Sequence, residues 1–223
     1  MSKYAMERRQ KGFTLVEIAI VLVIIGLLLG GVLKGQELIN SAKVKNMATD
    51  FRNVPVFIYG YQDKFKRLPG DDQSANKNVG VDDDHVGNNS GVIDGKWNET
   101  SPTKESVLFW EHIRRANLAA GATDFSGLDA TASLPTNAEG SRIGVSGEMP
   151  IKAMVGGNYY MCSDGIEGKF ARQLDLTIDD GEPNKGSMQA IAQAAGGATQ
   201  ADGSKNADPI FIEGTRYTVC MAF

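Results

Sequence analysis

A run of 21 residues, Phe13 to Leu33, holds one charge, Glu17, and one hydroxyl, Thr14. As a helix it would be about 31 Å long, the hydrocarbon thickness of a bilayer. Lys3, Arg8, Arg9 and Lys11 precede it against Glu7 alone, so residues 1–12 carry a net charge of +3. Basic flanks stay in the cytoplasm, which places the N-terminus inside and everything beyond residue 34 outside. The remaining residues carry 19 basic and 26 acidic side chains, a net of −7. An acidic body of this kind argues against nucleic-acid binding, which needs Lys and Arg to displace counterions from phosphates.

Three readings of the apolar run compete. A cleavable signal peptide needs a small-residue cleavage site after its apolar core. Here Leu33 is followed by KGQELINSAK, with only a poor site near Ser41-Ala42. A plain membrane anchor leaves Glu17 unexplained, because a carboxylate in a spanning helix costs roughly 2.5–3.5 kcal/mol and is functional by default. The third reading accounts for it. Lys11-Gly12-Phe13-Thr14-Leu15-Val16-Glu17-Ile18 resembles the cleavage and methylation motif of type IV prepilins and type II secretion pseudopilins.

The resemblance implies that a membrane-embedded prepilin peptidase cuts between Gly12 and Phe13 and methylates the new amine on Phe13. Glycine before the cut suits a protease gripping extended backbone. The resemblance also implies that Glu17, fifth after the cut, pairs with the N-terminal amine of a neighbouring subunit during assembly. Opposite charges in hydrocarbon attract strongly only when adjacent, so such a pair rewards one axial register. Gly26 and Gly30, then Gly31 and Gly35, repeat the four-residue spacing that lets helices approach closely. No proline stands near this depth, where many pilins carry one, and the glycines could supply the same local weakness.

Beyond Lys34 the pattern turns amphipathic. Leu38, Ala42, Met47, Phe51, Val54, Ile58, Tyr61 and Phe65 recur at mostly helical steps, predicting one helix that continues to Leu68-Pro69-Gly70, with a kink at Pro55. Residues 69–100 are polar, rich in Gly, Asn and Asp, and too long for a simple connection. Ser101-Pro102 is expected to open a helix with Val107, Leu108, Trp110, Ile113 and Leu118 on its apolar face, ended by Gly121. Ile151–Cys162 and Thr215–Ala222 are expected strands, Phe170–Leu176 a helical turn, and Asp179-Asp180-Gly181-Glu182-Pro183-Asn184 a tight turn.

The chain is therefore expected to be α+β. A long N-terminal transmembrane and stalk helix packs on a small, mainly antiparallel head, as in pilins. The expected parts are a cytoplasmic leader (1–12), a transmembrane half-helix (13–33), an amphipathic half-helix (34–67) and a globular head (68–223). Cys162 and Cys220 are the only cysteines, and an exported domain permits their oxidation. A disulfide is the default reading and fits the resemblance, since type IV pilins commonly staple their C-terminal region. Two histidines and no Cys-x-x-Cys argue against a zinc site.

Asp82, Asp84, Asn88, Ser90 and Asp94 offer hard oxygens among glycines, the chemistry calcium prefers, although Val86 stands where an EF-hand-type loop needs its first ligand. The competing reading is a solvated, turn-rich loop. No metalloprotease, nucleophile-elbow or P-loop motif occurs, and no enzyme is expected. The resemblance implies a filament subunit that polymerises with itself or other pilins, driven by an assembly ATPase and a platform protein. It would pass from the bacterial inner membrane, head in the periplasm, to a pilus, secretion or DNA-uptake filament. The alternative is a single-pass, membrane-anchored extracytoplasmic binding domain that never polymerises.

Overall fold

The computed structural model describes residues 14–125, 127, 130–152, 154 and 156–223. The chain divides into two compact units, Met1–Ser41 and Ala42–Phe223. Helix α1, Leu15–Phe65, supplies the described residues of the first unit after Thr14, and its later residues, 42–65, open the second. From Leu15 to Leu33 every large apolar side chain is exposed. This stretch is long and apolar enough to cross a membrane, with a mean hydropathy of 2.8 over 18 residues. A Cβ added to Gly26, Gly30, Gly31 or Gly35 would meet no neighbouring atom, so both glycine spacings face open space.

In the second unit, α1 buries Val44, Met47, Ala48, Phe51, Val54, Ile58 and Tyr61 along a single stripe. The expected stripe began at Leu38. Leu38 and Ala42 are in fact exposed, and burial starts at Val44. The helix passes through Pro55 without interruption and stops after Phe65, where Lys66 takes a left-handed φ of 56°.

Four strands form one antiparallel sheet: β1 (Ile143–Ser146), β2 (Tyr160–Glu167), β3 (Met188–Ala192) and β4 (Arg216–Ala222), in the order β1-β2-β4-β3. Both faces of the sheet are covered. Met161, Ile166, Met188, Ala190, Tyr217 and Val219 join the main core with the α1 stripe, while Tyr160, Cys162, Ile191, Cys220 and Ala222 join a second cluster around Trp97 and Ile151. The alternation follows the two-residue period of extended chain.

Several expected boundaries move. The strand expected from Ile151 begins only at Tyr160, because Gly156 and Gly157 take φ values of 82° and 114° that extended backbone cannot hold. At Gly157 the chain also passes so close to the Phe223 carbonyl that a Cβ would lie 2.5 Å from its oxygen. Helix α3 spans Glu105–Arg115, with Lys104 rather than Ser101 as its N-cap residue. It ends well before Gly121: Ala116 is the C-cap and Asn117 turns left-handed at φ 60°. The helical turn expected at Phe170–Leu176 is an 11-residue helix, α4, Gly168–Ile178. The long polar loop contains a single-turn helix, α2, Ala75–Asn78. The α+β, pilin-like layout is the observed one.

Candidate functional site

Thr14 and Glu17 form a reciprocal cap at the start of α1. The Thr14 N–H and hydroxyl both donate to Glu17 Oε2, at 2.8 and 2.7 Å, and the Glu17 N–H donates to Thr14 Oγ1 at 3.3 Å. This is the capping box, in which a residue and its third neighbour satisfy each other's unpaired amides. The spacing Thr14-x-x-Glu17 carries that signal in the sequence, and reading Glu17 for assembly alone missed it. Among the described residues, Glu17 Oε1 takes no hydrogen bond. Gly12 and Phe13, the expected cleavage and methylation positions, lie outside the described residues.

In the second unit, buried carboxylates order the acidic loop. Asp71 accepts the N–H groups of Ser90 and Gly91 at 2.8 and 2.7 Å. Asp72, fully buried, accepts from Tyr61 Oη, Asn78 Nδ2 and the Ser74 N–H. Glu105, at the start of α3, takes the N–H groups of Asn88 and Asp94, each at 2.9 Å. Burial pushes the Glu105 carboxyl up; the amides of Asp94 and Asn88 pull it down, and the charges of Asp71 and Asp94 push it up again.

The residues expected to hold calcium are only partly brought together. Asn88 Nδ2 donates to Asp94 Oδ2 at 2.8 Å, and Asn88 Oδ1 accepts the Ser90 N–H at 2.8 Å. The side chains of Asp82 and Asp84 take no part in these bonds, and both residues are exposed.

Both histidines, His85 within the loop and His112 on α3, are fully or nearly fully buried. His112 Nδ1 accepts the Gly70 N–H at 3.0 Å, and its Nε2 lies 2.9 Å from the His85 carbonyl. An amide can only donate and a carbonyl can only accept, so His112 is the neutral Nε2–H tautomer. Burial is the main reason its pKa falls from 6.5 to about 4. His85 Nδ1 sits 2.6 Å from Glu111 Oε2, and Arg115 Nε donates to Glu111 Oε1 at 2.9 Å. A buried charge needs such partners.

Cys162 and Cys220 are bonded to each other directly across β2 and β4, with 4.1 Å between their Cα atoms. A cleft of about 150 Å³ opens between α1, α3 and the sheet edge, lined by Asp50, Trp110, Arg114 and Ile143 among others. Burial pushes the Asp50 carboxyl up to about 6. At the end of α4, one carboxylate oxygen from each of Asp175, Asp179 and Asp180 lies within 4.8 Å of the other two.

No curated protein and no solved structure matches the chain. Residues 8–33 match the family described as the prokaryotic N-terminal methylation motif, the signature of type IV pilins and pseudopilins, and together with the exposed apolar helix this fits a membrane-anchored, pilin-like structural subunit.

Proposed function

We propose that the chain is a filament subunit of a type IV pilus or a type II secretion pseudopilus. Prepilin peptidase cuts between Gly12 and Phe13 and methylates the Phe13 amine. An assembly ATPase and a platform protein then move the subunit from the inner membrane, head in the periplasm, into a helical polymer of pilins. The observation that carries this reading is the apolar segment Leu15–Leu33, exposed along its whole length, with one acid at its start. Such a surface is stable only in lipid or against like surfaces, because exposed apolar area in water costs about 25 cal/mol per Å². Lipid serves before assembly and sister helices serve after it.

Mass spectrometry of the protein recovered from its host tests processing: the expected mature chain starts at N-methylated Phe13. Recovery with Met1 in place and an unmodified N-terminus would instead mean an anchored domain that never polymerises. Glu17→Ala is expected to be processed normally yet yield few sheared filaments, and normal filament yield would remove Glu17 from assembly.

A further inference from the structure

We infer that Asp175, Asp179 and Asp180 form a calcium-binding site at the C-terminal end of α4, a property separate from the filament reading. Two oxygens each about 2.4 Å from one ion are at most about 4.8 Å apart. Three carboxylates here meet that limit in one place.

Asp175 is fully buried, and neither of its carboxylate oxygens has a hydrogen-bond partner. The Gly181 amide lies on its side without reaching bonding geometry. A buried, unpartnered carboxylate is expensive unless it is neutralised or bound to a cation. Its two acidic neighbours grade outwards, Asp179 half-buried and Asp180 exposed, which leaves a route from solvent.

The surroundings also favour a cation. A helix C-terminus carries unpaired carbonyls and partial negative charge, which basic residues normally offset. The last turn of α4 holds no basic residue. Arg52 Nη2 donates to the Thr177 carbonyl at 3.4 Å, and Lys185, which also feels the charge of Asp180, is held by Glu182.

The turn after the helix fixes the second ligand. Asp179 Oδ2 accepts the Met188 N–H at 2.8 Å and the Ser187 hydroxyl at 3.3 Å. Gly186, at φ 64°, lets the chain pass against that carboxylate where any side chain would collide with it. The third ligand is held by Asp180 Oδ1 accepting the Glu182 N–H at 2.8 Å. An all-oxygen set without His or Cys suits a hard cation. Irregular geometry completed by water suits calcium better than magnesium, which demands a near-ideal octahedron.

The test uses the full-length chain in detergent, stripped with EGTA and titrated with calcium chloride from about 1 µM to about 10 mM, a span that covers weak extracellular sites. Calorimetry should show one saturable site, and the thermal midpoint read by tryptophan emission should rise with calcium. Asp175→Asn should weaken binding by about tenfold or more and abolish the calcium-dependent rise. Its midpoint without calcium should hold or increase, because a buried unpartnered charge has gone.

Asp180→Asn changes an exposed residue and serves if Asp175→Asn fails to fold; it too should weaken binding. Asp94→Asn, in the acidic loop, should leave binding intact. The proposal fails if the wild-type chain gives no calcium-dependent heat or midpoint shift. It fails equally if Asp180→Asn binds like wild type, or if Asp94→Asn is the variant that loses binding.

Discussion

Acid should weaken the second unit through His112, by an amount that follows from its geometry. Protonating Nδ1 would turn the acceptor of the Gly70 N–H into a second donor facing it 3.0 Å away. The ring stacks against Tyr61 and is buried among Asp72, His85 and Arg115. Burial dominates and lowers its pKa from 6.5 to about 4. Between those two pH values the unfolded chain binds a proton that the folded chain refuses. Stability is therefore fully present above pH 6.5 and is lost as pH falls towards about 4. At 1.36 kcal/mol per decade the gap amounts to about 3 kcal/mol.

Other carboxyls titrate in the same window, so the contrast with His112→Gln isolates the contribution. Trp97 and Trp110, the only tryptophans, are both buried in this unit, so urea unfolding followed by their emission reports it directly. His112→Gln should be less stable than wild type near neutrality, because two buried bonds are disturbed. That deficit should shrink by about 3 kcal/mol as the pH is lowered to about 4. A deficit that stays constant with pH would refute the reasoning.

The Tyr61 hydroxyl donates 2.8 Å to buried Asp72, so Tyr61→Phe should cost about 1–3 kcal/mol by leaving part of a buried carboxylate unsatisfied. An unchanged urea midpoint would deny that bond its role. Replacing both Cys162 and Cys220 by alanine opens a loop with a sequence separation of 58, and by the chain-entropy argument should cost about 4 kcal/mol. The same loss should follow reduction of the wild-type chain, and unchanged unfolding in dithiothreitol would contradict it. Thr14→Ala removes one half of the capping box and should cost about 1 kcal/mol of helix stability at the start of α1. Amide hydrogen exchange at residues 15–18 in micelles measures that fraying, and unchanged protection would contradict the cap.

The long helix could be read because its signals are local and repeated: an uninterrupted apolar run, then a stripe at helical spacing from Met47 to Tyr61. Strand β4 was legible within one residue for the same reason. Strands β1 and β3 were not. Ile143-Gly144-Val145-Ser146 is buried at every position and alternates Ile and Val with Gly and Ser over only four residues, too short a run to stand out from the turns around it. The roles of Asp71 and Glu105 could not be read because their partners are backbone amides 11 to 20 residues away, and that of Asp72 because it is satisfied mainly by the side chains of Tyr61 and Asn78, pairings that a sequence does not display. The same blindness hid Asp175, which sits in the helical pattern of α4 and meets Asp179 and Asp180 only because Asp179 caps that helix. Its cap N–H donates back to the Asp175 carbonyl.

Glu17 presents a harder physical problem than its place in the motif suggests. An isolated carboxylate in hydrocarbon would resist insertion, yet this one already accepts the amide and hydroxyl of Thr14 through Oε2. All three bonds of the capping box lie within residues 14–17, so cutting the chain before Phe13 would break none of them. In the proposed filament, Oε1 would then be the oxygen offered to a neighbouring N-terminal amine while Oε2 continues to close the helix end. Assembly on this view adds a partner to a carboxylate that is already oriented. That asymmetry separates the two residues: losing Thr14 should loosen the geometry of the acid, whereas losing Glu17 should remove the charge proposed to select the register.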